Sequence, residues 1–314
     1  MTKPIYKTVT RTQGNNRALK AKEVMSDGFD FAFEELPVLV QGFRKMVRGL
    51  EYDICEMALT TYICARAHGV KFTAIPVFLV RDFHHGALLH NTDMGLKTPK
   101  DLEGDKVGTN RGYTVTTGVW ARSILQDEHD VDLSKITWAL SGDEHVEAYR
   151  APANVQPIAA GKDMGSMLVS GELKAAIGAK VDAPNVAPMI ENPFAAGVGA
   201  LHNRGLYPIN HLVVIKDSVL EENPDLAMQV FNVFAESKRQ YVAQLKAGQI
   251  KDLSHIDRVH LAAMQVMEDP LPYGLEPNSQ VLEQLIQHAV TQKIISKKIG
   301  VEGLFATSTH DAFG

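Results

Sequence analysis

The chain has 314 residues, 45% of them apolar and 22% charged, with a formal net charge of -5. That length exceeds what one hydrophobic core usually supports, so two compact units are expected. The acidic balance, with no Lys/Arg run and no basic aromatic platform, gives no electrostatic reason to expect nucleic acid. No stretch approaches the roughly 20 apolar residues that span a bilayer, so no membrane is expected either. The opening MTKPIYKTVTRTQGNNRALK lacks an apolar core and a small-residue cleavage site, which reads as no secretory signal and a cytoplasmic location. Cys55 and Cys64 both lie in apolar stretches and are expected to pack as small hydrophobes, not to form a disulfide or a zinc site.

In chain order, Ile5 to Thr10 reads as a strand, Arg17 to Val24 as a helical turn and Phe29 to Phe33 as a second strand. Phe43, Met46, Val47 and Leu50 fall at helical spacing, which predicts an amphipathic helix over 40–48 closed by Gly49. Tyr52 to Cys55 is expected as a short buried strand, and Met57 to His68 as a helix stopped by Gly69. Phe72 to Val80 is apolar and carries Pro76, which a strand tolerates at a bend or an edge. This rhythm predicts an α/β layer with a mostly parallel sheet.

A second unit is expected from about Asp101. Lys106 to Thr109 reads as a strand, Thr116 to Asp127 as a helix and Ile136 to Leu140 as a strand. Residues 150–160 read as a loop. Met164 to Val169, Gly171 and Leu173 to Ile177 then give helix, stop and strand. That piece, MLVSGELKAAIGA, echoes MVRGLEYDICEMA of the first unit. His211 to Ile215 reads as a strand returning to the first unit. Beyond it Asn223 reads as a helix cap with Pro224 at the first helical position. Leu226, Val230, Val233, Phe234, Tyr241 and Leu245 follow at helical spacing, and a further helix is expected over 279–292.

Several residues carry candidate chemistry. Arg81 ends a buried strand, where a guanidinium is best explained by a carboxylate of the protein or of a ligand. His84 and His85 follow; histidine titrates near neutrality unaided, so either can serve as an acid or base, or simply sit satisfied in the core. No HxH, HExxH or CxxC spacing occurs, so the sequence leaves a divalent metal open without supporting it, and no cofactor is expected. Gly112-Tyr113-Thr114 with Thr116 and Thr117 gathers hydroxyls and N–H groups where a helix begins, which suits an anion; plain threonine capping is the alternative. GxxxxGK[ST], GxGxxG after a strand, and GxSxG are all absent. Glu56 and the Glu34-Glu35 pair sit at expected strand ends, where carboxylates can accept a substrate hydroxyl or lie solvated. His211, just before the return strand, either faces a ligand or locks a hinge.

At these residues the chain resembles the 4,5-dihydroxyphthalate decarboxylase family, a branch of the type II periplasmic-binding-protein fold. The resemblance rests on Tyr52-Asp53-Ile54 with Glu56-Met57-Ala58-Leu59, on Ile75-Pro76-Val77-Phe78 followed by Arg81-Asp82-Phe83-His84-His85, and on Asn91-Thr92-Asp93. It continues through Asp101-Leu102-Glu103-Gly104, Val107-Gly108, Thr117, Val119-Trp120-Ala121-Arg122 and Leu125-Gln126-Asp127-Glu128, and closes at Tyr207-Pro208-Ile209-Asn210-His211. His84-His85 stands where the family tends to Arg-His, and His129-Asp130 where Tyr-Gly often follows.

The resemblance implies two lobes, 1–91 with 212–314 and 92–211, each a mostly parallel mixed sheet flanked by helices, with a ligand clamped between them. It implies a cytoplasmic enzyme that takes one carboxylate from a catechol-type dicarboxylic acid, a small anionic aromatic substrate; a homo-oligomer is compatible with it. On this reading Arg81 or Arg111 holds a carboxylate, His85 or His84 donates a proton, and Glu56 or His211 engages ring hydroxyls. Tyr113, Thr114 and Thr117 complete the anion site, with Thr116 and Thr60 beside them. The competing classes are a non-catalytic solute-binding protein of the ABC-importer type and a metal-dependent hydrolase.

Overall fold

The computed structural model describes residues 3–314. The chain runs β1 (Ile5–Val9), α1 (Arg17–Lys20), β2 (Asp30–Glu34), α2 (Leu39–Gly49), β3 (Ile54–Ala58), α3 (Leu59–Ala67) and β4 (Phe72–Arg81). It continues through β5 (Leu88–Asn91), β6 (Lys106–Thr109), α4 (Thr116–His129), β7 (Thr137–Leu140), β8 (Val155–Pro157), α5 (Met164–Val169), β9 (Ala175–Ile177), β10 (Val186–Pro188) and α6 (Pro193–Arg204). The last third is β11 (Ile209–Lys216), α7 (Asp217–Glu222), α8 (Leu226–Lys246), α9 (His255–Ala263) and α10 (Ser279–Thr291). Among the described residues no helix is long and apolar enough to cross a membrane.

Two compact units result. The chain up to Asp82, with Ile209–Ile286 and Lys298–Gly314, forms one; Phe83–Pro208 with Gln287–Lys297 forms the other. The boundaries expected at 91 and 211 therefore shift to 82 and 208. The reason is β5, a four-residue strand that pairs into the second sheet although it ends at residue 91. Residues 287–297 join the second unit because Gln292 bonds the Arg122 guanidinium and the Val119 carbonyl.

In the first unit the sheet order is β2-β1-β3-β11-β4. β1, β2 and β3 run parallel, while β11 is antiparallel to both β3 and β4. Half of the pairings are thus antiparallel, not the mostly parallel sheet expected. All five residues of β3 are buried, as its central place demands. β4 lies at the edge, so the missing N–H of Pro76 costs the ladder little, and the β4–β11 register slips between Val80 and Ile75 across that proline. α8 packs against β4 and α1 through its apolar stripe, with Val230, Phe234 and Tyr241 all buried.

In the second unit the order is β10-β5-β9-β6-β7-β8, with three parallel pairings and two antiparallel ones. β8 falls inside the stretch expected to be loop; it is a three-residue edge strand that ends in Pro157 and is too short to show an alternation. Met164, Met167, Leu168 and Leu173 pack with Ala139 and Ala176 as this unit's core.

Local differences have local causes. α2 continues through Gly49, and the left-handed turn falls on Leu50 (φ 49°), whose N–H donates to the Met46 carbonyl. Asn223 does not cap α8; its amide donates to the Tyr6 hydroxyl, and α8 begins at Leu226 after the short α7. Cys55 and Cys64 are buried free thiols, and burial pushes the Cys55 thiol well up.

α9 opens with a capping box in which the Ser254 hydroxyl and the Asp257 carboxylate each take the other's backbone N–H. Asp257 also accepts from the Tyr241 hydroxyl at 2.6 Å, and Tyr241 meets His260 Nδ1 at 2.8 Å, which ties α9 to α8. Burial depresses the His260 pKa to about 4, with Arg81 adding to the effect and the charge of Asp257 opposing it. Because the folded pKa lies below the unfolded value near 6.5, the unfolded chain takes up the proton first on acidification. The stability that His260 confers is therefore complete above about pH 6.5 and is lost as pH falls toward 4, a contribution of about 3 kcal/mol. Urea unfolding at pH 7 and pH 5 should show this loss in the wild type and a shallower one in His260→Gln; parallel losses would show that His260 titrates normally in the fold.

Candidate functional site

Each unit carries one group of polar side chains with candidate chemistry. In the first unit the group is built around Glu56. This residue was expected past the end of a short strand, but β3 runs on to Ala58 and holds Glu56 fully buried within it. A desolvated carboxylate needs partners, and it has two. Oε2 accepts the Arg11 backbone N–H at 2.9 Å, where the chain leaves β1. Oε1 meets His211 Nδ1 at 2.7 Å, from β11, which pairs directly with β3. The His211 ring stands edge-on to Phe43, with centroids 5.2 Å apart. The pair thus fixes the imidazole with Nδ1 toward the carboxylate and Nε2 as its remaining functional atom.

Arg81 ends β4 with its side chain buried, donates to the Asn278 amide oxygen, and lies near the Phe78 ring. Asn278 is itself fixed by donating to the carbonyls of Pro272 and Gly274. Asp82, the next residue, accepts from His255 Nε2 at 2.8 Å, and that hydrogen bond raises the His255 pKa against the opposing effect of burial. Thr60 is fully buried in the first turn of α3.

In the second unit His84 and His85 lie in a single 3-10 turn, both buried. His85 Nε2 meets the Glu128 carboxylate at 3.0 Å, and Glu128 also receives Arg204. Burial pushes the Glu128 pKa up, but the hydrogen bond and charge of His85, with the charge of Arg204, outweigh it and hold the group below its ordinary value. His85 Nδ1 is buried and has no partner among the described residues. One nitrogen of this imidazole is thus clamped by a carboxylate, which fixes the orientation of the ring.

The loop after β6 forms the second part of this unit's group. Arg111 has φ 67°, an uncommon conformation for a residue with a side chain, and its backbone N–H donates to the Ser141 hydroxyl at 2.8 Å. Tyr113 and Thr114 then point their backbone N–H groups at the carboxylate of Glu144, which also accepts the Thr114 hydroxyl at 2.6 Å. A Cβ on Gly112 would stand 2.6 Å from Glu144 Oε2, so glycine is what admits the carboxylate. The turn holds a carboxylate, and the chain supplies it itself through Glu144. The plain capping alternative does not describe it. The N-cap of α4 is Val115, which has no side-chain oxygen, and the Thr114 hydroxyl goes to Glu144. Thr116 is buried and Thr117 half-buried in the first turn of α4. Behind them the buried Arg122 guanidinium stacks 3.9 Å over the Tyr113 ring and donates to the Tyr113 carbonyl.

The structure thus joins Glu56 with His211, and Tyr113 with Thr114. It gives His85 and Arg81 partners that sequence reading did not name. Glu128, Glu144, Arg122, Arg204 and Arg11 were missed as site residues. Only Glu144 left a readable signal: it follows a strand in the small-residue turn Ser141-Gly142-Asp143, where loop carboxylates gather near ligands. Among the described residues, no three His, Cys, Asp or Glu side chains come together as a metal would require.

Comparison with known proteins bears on this geometry. No family model matches the chain. It is 27% identical to the 4,5-dihydroxyphthalate decarboxylase of Comamonas testosteroni, over 95% of this chain and 94% of that protein. It is 31% identical to the protein of the same name from Pseudomonas putida, over 57% of this chain and 74% of that one. The chain belongs to the 4,5-dihydroxyphthalate decarboxylase family. Its fold is that of periplasmic binding proteins. The aliphatic sulphonate binding protein SsuA of Escherichia coli superposes with a TM-score of 0.55 at 13% identity, over 98% of this chain and 99% of that one. The desulfurization enzyme DszB superposes at 0.52 with 12% identity, over 97% and 96% of the two chains. Within this family member, Gly112 and Glu144 make one shared contact, which gives a direct test of the carboxylate-shaped turn. Glu144→Ala and Gly112→Ala should each lower the unfolding free energy by about 1–3 kcal/mol, because each leaves buried donors unpaired. The double variant should lose markedly less than the sum; additive losses in denaturant melts would mean that the two residues do not share the contact.

Proposed function

We propose that this chain is a carboxy-lyase that releases CO2 from a catechol-type aromatic dicarboxylic acid such as 4,5-dihydroxyphthalate. The observation that carries the reading is His85, clamped through Nε2 by Glu128 and left with a buried, unengaged Nδ1. The names of the two relatives supply the substrate class. Loss of CO2 from an electron-rich ring proceeds by protonation of the ring carbon that bears the carboxylate. The C–C bond to the carboxylate then breaks, its electron pair returns to the ring, and CO2 leaves. The protonated imidazole carries its second proton on Nδ1, and that atom is the donor. Arg111, with Thr116 and Thr117 at the start of α4, is the candidate grip on a substrate carboxylate, next to the Tyr113–Thr114 turn that holds Glu144. His84, in the same turn, is the other candidate donor in this unit. Within the first unit, His211 held by Glu56 is a further acid–base pair, with Arg81 and Thr60 buried in that same unit.

Measurement of CO2 release from 4,5-dihydroxyphthalate tests this reading. His85→Ala should lower kcat by about 100-fold or more, the scale of general acid catalysis. Glu128→Gln should lower kcat by roughly tenfold with little change in KM, because it loosens the imidazole without touching substrate. Full turnover in both His84→Ala and His85→Ala would remove the histidine from the acid's role. A second reading, a non-catalytic binder of aromatic acids, is favoured by the carboxylate-shaped turn, since that turn needs no acid–base partner. Saturable binding of 4,5-dihydroxyphthalate by the wild type without CO2 release would establish it in place of the first.

A further inference from the structure

The roles above leave Arg204 without one. It stands in the last turn of α6, and α6 packs against the 3-10 turn that carries His85. Two close approaches seat the helix there. A Cβ on Gly86 would stand 3.5 Å from the Pro193 ring, and a Cβ on Gly197 would come within 2.4 Å of Phe83. The Phe83 ring also meets the ring of Phe194, with centroids 5.7 Å apart. The start and middle of α6 are thus fixed on the segment 83–86, and its end brings the Arg204 guanidinium onto the Glu128 carboxylate.

Glu128 Oε1 lies between two donors. Arg204 Nη2 donates to it, and His85 Nε2 meets it at 3.0 Å, with Oε2 3.1 Å from the same ring nitrogen. The carboxylate is ionised at neutral pH, because its partners outweigh the effect of burial. An ionised carboxylate only accepts, so the proton in the contact sits on His85 Nε2. The remaining titratable group acting on Glu128 is His129, the next residue of α4. Burial lowers the His129 pKa, so that ring adds little charge near pH 7. Arg204 is the permanently charged group of the set. Its side chain is 38% exposed, and an ion pair so placed adds little to stability. What it adds is direction. Glu128 is itself 21% exposed, so a carboxylate released on the Arg204 side can turn toward water and take its grip off the imidazole.

We propose that Arg204 is a positioning residue for proton transfer by His85: it anchors the Glu128 carboxylate, and that carboxylate holds the imidazole in one tautomer and one orientation. The inference rests on the reading of His85 as the acid and extends it by one residue, which touches no reacting atom. Arg204 and Glu128 are 76 residues apart, and α6 is the element that joins them.

The experiment measures long-range 1H–15N spectra of histidine-labelled protein and CO2 release from 4,5-dihydroxyphthalate, on the wild type, Arg204→Ala and Arg204→Lys. The His85 signals are identified by their absence in His85→Ala. In the wild type the neutral ring should carry its proton on Nε2 alone, and Arg204→Ala should show a mixture of the two tautomers. The same variant should lose about tenfold in kcat with KM within about twofold. The acid limb of its pH profile should move to higher pH, since loss of the guanidinium raises the Glu128 pKa and a protonated carboxylate no longer takes the Nε2 proton. Arg204→Lys keeps the charge and should restore the limb and most of kcat; a merely structural role would move neither the tautomer ratio nor the limb. In a Glu128→Gln background, Arg204→Ala should cost less than about twofold more, because the path is already broken. An unchanged His85 tautomer in Arg204→Ala overturns the proposal, as does a full tenfold loss added to that of Glu128→Gln. Should Arg204→Ala fail to fold, Arg204→Gln, which keeps length without charge, gives the same comparison. Absence of CO2 release in the wild type overturns the decarboxylase reading alone, and the tautomer spectra still decide whether Arg204 holds the pair.

Discussion

A carboxylate placed inside a β-sheet cannot be left alone. Moving its charge from water into a protein interior costs several kcal/mol unless nearby donors replace the lost hydration. Glu56 is such a group, fully buried in the central strand of the first sheet. Its two partners arrive from different places: the Arg11 N–H where the chain leaves β1, and the imidazole of His211 on β11. Satisfying Glu56 therefore fixes the exit of β1, the register of β3 against β11, and the orientation of an imidazole in one arrangement. A one-residue slip of β11 would turn His211 to the other face of the sheet and leave Glu56 Oε1 without its partner.

The second unit repeats the logic with other donors. Glu128 binds the ring of His85 to the last turn of α4, and Glu144 gathers the N–H groups and hydroxyl of the turn that opens the same helix. Arg122 lies between these two places on α4 and holds Tyr113 from behind, through both its ring and its carbonyl. Three carboxylates thus organise the candidate chemistry, and each does so by restricting a group that could otherwise rotate. Such restriction is what separates a histidine poised for proton transfer from one that is merely buried.

Much of the architecture was visible in the residues. Helical spacing in α2 and α8, the glycine stops at Gly69 and Gly171, and the polar exit of β4 at Arg81 were all readable because each is a property of neighbours in sequence. The short edge elements were not: β5, β8 and β10 have three or four residues each, too few for a period, and exist only because a neighbouring strand pairs with them. α9 was not among the expected elements, although Ser254 and Asp257 carry a capping signature. The sheets read as mostly parallel because the alternation of strand and helix signals crossovers, whereas β11 and β5 pair antiparallel with strands far from them in the chain.

The sequence by itself determined the kinds of chemistry available: two histidines after a buried strand, an arginine at its end, and a glycine turn with hydroxyls before a helix. It could not say which of these groups were held. His211 and Glu56 are 155 residues apart, His85 and Glu128 are 43 apart, and Thr114 and Glu144 are 30 apart. Only tertiary structure chose those pairs, because the cost of burying a charge is settled by whatever donor the fold brings within hydrogen-bond reach, and spacing along the chain does not encode that distance.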